Sequence, residues 1–185
     1  MRILGISGSL RKDSHNTALL RAAAELLPPG VELELFDGLR EVPPYDADED
    51  APGLHAPGVV ALKDAIERAD AVLISTPEYN HSIPGVLKNA LDWASRPVVD
   101  NVLRGKPAAV VGASTGLFGA MWAQAEVRKV LAAIGADVVD RELPVMQAHQ
   151  QFDEYGNLHA EDLRDQLAEH VTALVRATRE KVPAA

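Results

Sequence analysis

Apolar residues recur along the chain in two alternating patterns: short runs typical of buried strands, and longer stretches with helical spacing. The strand pattern occurs five times: Arg2 to Ile6, Val31 to Phe36, Ala71 to Ile74, Ala108 to Val111, and an edge strand from Val138-Val139 and Leu143 to Val145. Helical spacing occupies the intervals: Thr17 to Leu27, a stripe of Val59, Leu62, Ile66 and Ala69, a helix starting at Ser82-Ile83-Pro84, a stripe from Ala123 to Ile134 ended by Gly135, and a stripe of Leu163, Leu167, Val171 and Leu174. Strands that are apolar on both faces need helices on both sides, so the alternation predicts a three-layer α/β/α domain with a doubly wound parallel sheet.

Composition narrows the possible functions. The 185 residues suffice for one well-buried core, so we expect residues 1–185 to form a single domain. No apolar stretch approaches the ~20 residues of a membrane span, and the N-terminus lacks a cleavable export signal, which predicts a cytoplasmic protein that contacts no membrane. A net charge of -9 disfavours a nucleic-acid partner. Because the chain has no cysteine, any redox chemistry must belong to a bound cofactor.

The segment behind the first predicted strand has the chemistry of a phosphate site. This first loop consists of Ser9, Leu10, Arg11, Lys12, Asp13, Ser14, His15 and Asn16. It offers hydroxyls, an amide and two cationic groups, and the following helix directs its unpaired N–H groups and positive dipole end to the same place. The more ordinary interpretation is a strand-to-helix turn in which Ser14 or Asn16 caps the helix, and capping and phosphate binding are compatible.

Two further loops follow the third and fourth predicted strands. In a doubly wound sheet, ligands bind beyond the carboxyl ends of the strands, so these loops belong with the first. The second loop, residues 76–82, contains Pro77, Glu78, Tyr79 and Asn80, which could provide a stiff ledge and an aromatic face for a flat ring. The third loop, residues 112–116, has small residues that allow close approach of a ligand; we expect contacts from Ser114, Thr115 and Gly116. Phosphate at the first loop and a ring between the other two is the layout of bound FMN.

These residues resemble a known family. The first loop, the long string from Pro77 to Trp93, and Ser114-Thr115-Gly116 are similar to the NADPH-dependent FMN reductases of the flavodoxin-like fold, which include bacterial quinone and chromate reductases. The resemblance implies a sheet order of 2-1-3-4-5, FMN as cofactor, and NADPH or NADH as electron donor. It also implies that the electrons pass through the flavin to a quinone, free flavin, azo compound or metal oxyanion. No side chain need act as general acid or base, so no catalytic residue is assigned.

The resemblance further implies a homodimer or homotetramer, with the helix after Pro84 at the interface. Trp93 and Trp122 are expected in the core or in such an interface rather than at the cofactor. The sequence departs from the family pattern after Gly119, where Ala120 and Trp122 stand in place of an expected glycine and arginine.

Two other functions remain open at this stage. Gly112-Ala113-Ser114-Thr115-Gly116 matches the G-x-S-x-G elbow of serine hydrolases, and possible triad partners follow in the required order: Asp137 or Asp153 with His149, His159 or His170. A non-enzymatic electron carrier of the flavodoxin type would use the same flavin site. The six histidines show no metal-ligand spacing, so no metal site is predicted.

Overall fold

The computed structural model of the chain describes residues 1–51 and 53–181. In these ranges the strands are β1 (Arg2–Ser7), β2 (Glu32–Phe36), β3 (Ala71–Thr76), β4 (Pro107–Ala113), β5 (Asp137–Val138) and β6 (Pro144–Val145). The helices are α1 (His15–Glu25), α2 (Pro57–Arg68), α3 (Gly85–Ala94), α4 (Met121–Ala133) and α5 (Glu161–Lys181). Even α5, with 21 residues, is too polar to cross a membrane, and no other helix in the described ranges qualifies.

The strands form one parallel sheet in the order β2-β1-β3-β4-β5, which confirms the predicted topology. Ile3 pairs with Leu33 on one side and with Ala71 on the other, and Val72 pairs with Ala108. The edge strand is interrupted, since β5 and β6 are two residues long and pair with different parts of β4. Between them lie the polar residues Asp140, Arg141 and Glu142, which are exposed and belong to no strand.

Helices cover both faces of the sheet. Successive apolar side chains along each strand point to opposite faces, so the same strands contribute to a hydrophobic core on each side. On one face, Leu73 packs in a cluster with residues of α1 and α5. On the other, Val72 and Ile74 pack in a cluster with residues of α2, α3 and α4. The central strands β3 and β4 are buried over their whole length, as their continuous apolar runs predicted.

Two helix starts differ from prediction. Helix α1 begins at His15 rather than Thr17 because Ser14 is its N-cap. Helix α3 begins at Gly85 rather than at Ser82, because Tyr79 and Ser82 are held in a tight hairpin turn and Pro84 occupies the N-cap position. The expectation that Trp93 lies in the core is confirmed, since its side chain is fully buried.

Candidate functional site

The loops after β1, β3 and β4 meet at the carboxyl edge of the sheet and enclose a cleft of about 270 Å³. The strand order reverses at this point, which is where ligands bind in open α/β sheets. Ten of the predicted cofactor residues line this cleft, together with Ala113: Ser9, Arg11, Ser14, His15, Asn16, Pro77, Glu78, Tyr79, Ser114 and Thr115.

The first loop presents donors with no protein acceptor. Ser14 Oγ accepts hydrogen bonds from the N–H groups of Asn16 (3.1 Å) and Thr17 (3.4 Å), so its own hydroxyl proton is available to a ligand. Among the described residues, the N–H groups of Lys12 and His15 donate to no protein atom. Together with the exposed Arg11 guanidinium and the positive end of α1, this donor set fits a phosphate dianion.

Asn16 lines the cleft but its side chain serves the scaffold. Its Nδ2 donates to the carbonyl oxygen of Ala113 at 2.9 Å, and its Oδ1 accepts from Ser75 Oγ (2.9 Å) and from the Ala113 N–H (3.0 Å). The residue is buried, at 3% exposure. Asn16 therefore joins the start of α1 to the ends of β3 and β4 and fixes the spacing of the first and third loops.

The second loop folds back on itself. Tyr79 and Ser82 exchange backbone hydrogen bonds of 3.2 and 3.1 Å, and the two residues between them, Asn80 and His81, have φ values of 53° and 61°. Two consecutive positive φ values are the geometry of a type I′ hairpin turn, in which asparagine is favoured. The turn leaves Tyr79 at the cleft, half exposed at 53%.

Glu78 connects the second loop to α4. Its Oε2 accepts hydrogen bonds from the N–H groups of Trp122 (3.0 Å) and Ala123 (3.1 Å), the first turn of that helix. The helix has no cap of its own, since its N-cap residue, Ala120, has no side-chain acceptor and a φ of 61°. That left-handed backbone explains the glycine expected at position 120, because glycine adopts it without strain.

The third loop does not carry a hydrolase site. Ser114 Oγ accepts a hydrogen bond from the Gly116 N–H at 3.1 Å. In residues 1–51 and 53–181, no histidine hydrogen-bonds to this hydroxyl. His170, a candidate base, is buried under β4, where burial lowers its pKa to about 4. The G-x-S-x-G match therefore lacks the base that a nucleophilic serine requires.

The other predicted cofactor residues lie outside this cleft. Leu10 and Lys12 line a neighbouring cavity of about 320 Å³ next to β2, and Asp13 lines another, of about 220 Å³, against the loop that carries Tyr155. Asn80 and Gly116 line none of these three cavities. Sequence reasoning placed all fifteen residues together because it could not show which side of each loop faces the cleft.

His15 has neighbours that the sequence did not indicate. Its ring stacks on Phe152, with 5.5 Å between the ring centroids. Burial lowers the pKa of His15, and the positive charges of Arg11 and His149 lower it further. These contacts bring the segment after β6 to the edge of the cleft, although nothing in the spacing of residues 146–158 predicts it.

Exposed apolar side chains cluster next to the second and third loops. We call them the apolar rim: Tyr79, Leu117, Phe118, Met121, Trp122 and Met146, each between 38% and 66% exposed. Trp122 contacts two other rings, at centroid distances of 4.9 Å to His81 and 4.7 Å to Phe118. Trp122 is therefore not a core residue. Of the two positions expected for it, the core and a subunit interface, its exposure is compatible only with the interface.

Comparison with known proteins agrees with this geometry. The family model described as NADPH-dependent FMN reductase matches residues 1–150. An NAD(P)H-dependent FMN reductase of Pseudomonas aeruginosa is 42% identical over 175 residues, covering 94% of this chain and 93% of the relative. A 2-hydroxy-1,4-benzoquinone reductase of a Burkholderia species is 41% identical over 169 residues, covering 90% of each. Among solved structures, FerB of Paracoccus denitrificans, a flavoenzyme NAD(P)H:(acceptor) oxidoreductase, superposes with a TM-score of 0.86 at 37% identity and 97% coverage of both chains.

Proposed function

The chain belongs to the NADPH-dependent FMN reductase family, and from this premise we propose that residues 1–185 form one FMN-binding domain whose cleft holds the flavin between the first, second and third loops. The protein is a flavodoxin-like, NAD(P)H-dependent oxidoreductase, not a hydrolase or a simple electron carrier. The observation that supports this assignment of the cleft is the convergence, at one edge of the sheet, of a first loop rich in free donors and the loops after β3 and β4.

In the proposed complex, the first loop holds the phosphate. Arg11 supplies a positive charge, Ser14 donates its hydroxyl proton while still capping α1, and the free N–H group of His15 donates from the backbone; all three residues line the cleft. We assign no direct flavin contact to the Asn16 side chain, because its amide is engaged with Ser75 and Ala113.

The second and third loops border the ring. Pro77 and the hairpin turn behind it make a stiff ledge, and Ser114 and Thr115 close the opposite side. Tyr79 lies at the entrance, where its ring can cover part of the flavin while leaving one face open for the donor and then the acceptor. When bound, FMN supplies the electron chemistry between reduced nicotinamide and the acceptor, so the protein groups bind and orient and none is assigned a catalytic proton transfer.

We propose a quinone or a free flavin as the small-molecule acceptor. The relatives are named for these acceptors, and the Tyr79 ring at the entrance of the cleft suits a planar aromatic compound better than a hydrated oxyanion.

We also propose that the protein is a homo-oligomer, a homodimer or homotetramer, in which a second copy covers the apolar rim. Its six large apolar side chains come from three segments next to one another, a clustering typical of interaction surfaces.

We place the protein in the cytoplasm because its electron donor, reduced nicotinamide dinucleotide, is produced there; fractionation of the source cells tests this location.

The experiment that tests the assignment has two steps. Protein mixed with FMN and separated from free ligand by gel filtration should retain the flavin absorption band, and anaerobic NADPH should bleach it. A double variant, Arg11→Ala with Ser14→Ala, should bind FMN about 100-fold more weakly, because it loses charged hydrogen bonds to the phosphate. The matched control is Thr172→Ala with Arg176→Ala on the exposed side of α5, which should leave FMN affinity unchanged.

Circular dichroism of the double variant checks that the fold survives the loss of the Ser14 cap. Unchanged FMN affinity in a folded double variant would remove the first loop from the phosphate site, and failure of NADPH to bleach bound FMN would contradict direct reduction by the dinucleotide.

A further inference from the structure

A second cavity adjoins the cleft, and most of the residues that line it have no role in the proposed flavin site. It has a volume of about 320 Å³ and lies between the first loop and the segment that follows β2. The two cavities share Ser9 and Arg11 in their walls, so they form neighbouring compartments along the same edge of the sheet.

The walls of this cavity combine an apolar floor with cationic side chains. Phe36 and Leu39 are among the apolar residues, and four cations surround them: Arg11, Lys12, Arg21 and Arg40. None of these four forms a salt bridge with a carboxylate in the part of the chain that the structure describes, although Asp37 lies in the same wall. In a protein with a net charge of -9, four cations and one acid around one cavity are a local reversal of sign.

Arg40 is already oriented in this wall. Its Nη2 donates to the carbonyl oxygen of Leu10 at 3.1 Å, which ties the segment after β2 to the first loop. The remaining donors of a guanidinium can still bind an anion in bidentate fashion. Arg21 makes no hydrogen bond through its side chain to another described residue and projects from α1 beside the cavity.

The distance between the two compartments suits one extended dinucleotide. Strand β2 lies two strands from β3 and three from β4, so the cavity is about 12 Å along the sheet from the proposed ring position, given a spacing of about 4.8 Å between strands. A dinucleotide with its nicotinamide over the flavin would lay its diphosphate past the Lys12 side chain, since Arg11 is assigned to the FMN phosphate, and its adenosine end beside β2.

We propose that this cavity binds the adenosine 2′-phosphate of NADPH, with Arg21 and Arg40 as the residues that favour NADPH over NADH. In dinucleotide-binding Rossmann domains an acidic residue bonds a free ribose 2′-hydroxyl, whereas an arginine nearby accommodates a 2′-phosphate, and we apply the same charge complementarity to this cavity by analogy. Here one acidic residue, Asp37, lines the cavity together with three arginines, so the local charge is positive. The apolar floor offers a surface for the adenine ring. The inference rests on the proposed function, because it requires the nicotinamide to reach the flavin in the cleft.

The test measures binding and kinetics on the FMN-loaded protein. By calorimetry, 2′,5′-ADP should bind at least about tenfold more tightly than 5′-AMP, and Arg21→Ala should remove most of this difference, since a charged hydrogen bond to phosphate is lost. In steady state with a quinone, Arg21→Ala should raise KM for NADPH about tenfold and change KM for NADH less than about twofold. Arg21→Lys should restore part of the preference, and Arg176→Ala on α5 is the matched control.

Arg40→Ala should also raise KM for NADPH more than KM for NADH. Because Arg40 donates to the carbonyl oxygen of Leu10 in the first loop, FMN affinity must be measured separately for this variant. Equal binding of 2′,5′-ADP and 5′-AMP, or an equal rise of both KM values in Arg21→Ala, would overturn the inference. These outcomes leave the proposed function intact as long as FMN binds and NAD(P)H reduces it. Failure of FMN binding or reduction in the unmodified protein would instead contradict the proposed function itself.

Discussion

Asn16 fixes the shape of the site through its side-chain amide, whose nitrogen and oxygen are both bonded to other protein groups. Its amide makes three hydrogen bonds that connect the first helix to the ends of two strands. Both a donor and an acceptor are needed at that point, because Ala113 presents its carbonyl oxygen as well as its N–H. Asparagine satisfies both groups, whereas aspartate would leave the carbonyl oxygen without its donor and alanine would leave both groups without a side-chain partner.

His170 is a second buried polar residue, and it makes stability depend on pH. The ring is 2% exposed on α5, and its Nε2 has no hydrogen-bond partner among the described residues. Burial lowers its pKa from 6.5 to about 4, the charges of Arg141 and Arg128 act in the same direction, and a hydrogen bond with the backbone of Val110 partly offsets them. The folded protein therefore holds this histidine neutral well below neutral pH.

We predict an acid-dependent loss of stability that belongs to His170. Between pH 6.5 and 4 the unfolded chain takes up a proton that the folded chain does not, so stability falls with pH through this window. The loss from this group should reach about 2 kcal/mol at pH 5 relative to pH 7.5. Urea unfolding of His170→Leu at the two pH values should show a pH dependence smaller by that amount, while the exposed control His159→Leu should keep the dependence of the unmodified protein. Equal pH dependence in all three proteins would contradict the assignment.

At this scale the sequence predicted residue types better than roles. Serines, an arginine and an asparagine behind a strand indicated a polar loop ahead of the first helix, and the structure places such a loop there. That this loop binds an anion stays a prediction, which local order and helix polarity were enough to suggest. The engagement of Asn16 with Ala113 was not predictable, since the two residues are 97 positions apart and meet only through the order of the strands. The same holds for Glu78, whose partners in α4 are 44 and 45 positions away.

Among the elements, α4 depends on another part of the chain for its start. Its first turn has no local cap, and the carboxylate of Glu78 in the second loop accepts two of its N–H groups instead. A negative charge there also interacts favourably with the positive end of the helix. The second loop and the helix behind the third loop are thus held as one unit.

We predict a graded effect of substitutions at Glu78. Glu78→Gln keeps an oxygen acceptor but loses the charge, and should cost about 0.5–1 kcal/mol of the free energy of unfolding. Glu78→Ala also loses the cap and should cost about 1–2 kcal/mol, and it should weaken FMN binding because the second loop is released from α4. Urea unfolding and FMN titration measure the two effects. The control, Glu180→Ala near the exposed end of α5, should change neither, and a Glu78→Ala variant as stable as this control would argue against the capping role.

The elements themselves were largely predictable, because burial on two faces leaves a strong pattern. Continuous apolar runs identified β3 and β4, and helical stripes identified all five helices within the described ranges. The errors lie at helix starts: the turn at Asn80 and His81 has no glycine to mark it, so its positive φ values are invisible in the sequence and α3 was expected three residues too early.

For the whole molecule, the distribution of charge over the surface predicts ligand binding better than the net charge does. The net charge of -9 disfavours extended polyanions, yet Arg11, Lys12, Arg21 and Arg40 collect at the carboxyl edge of the sheet. Arg11 and Lys12 are neighbours in sequence and could be predicted to act together. Arg21 and Arg40 join them only because α1 and the segment after β2 flank the same strand end, which requires the sheet order.

The apolar rim makes a prediction about assembly that can be tested without the flavin. Burying a large apolar side chain contributes about 1.5–3 kcal/mol, and a twofold interface uses each residue twice. Phe118→Ser with Trp122→Ser removes two such side chains from each copy, so we expect the dissociation constant of the oligomer to rise at least about 1000-fold. Light scattering after gel filtration, over a range of protein concentrations, should therefore show a monomer for this variant where the unmodified protein forms a dimer or tetramer.

Val98→Ser with Val99→Ser is the matched control for this experiment, since these valines are 56% and 83% exposed on a loop that is not part of the rim. This pair should leave the oligomer intact, which separates loss of a specific interface from a general rise in solubility. FMN titration of the monomeric rim variant then shows whether assembly shapes the cleft: because Tyr79 belongs to both the rim and the cleft, exposing the rim should weaken FMN binding as well. A rim variant with the same mass in solution as the unmodified protein would exclude this surface as the interface.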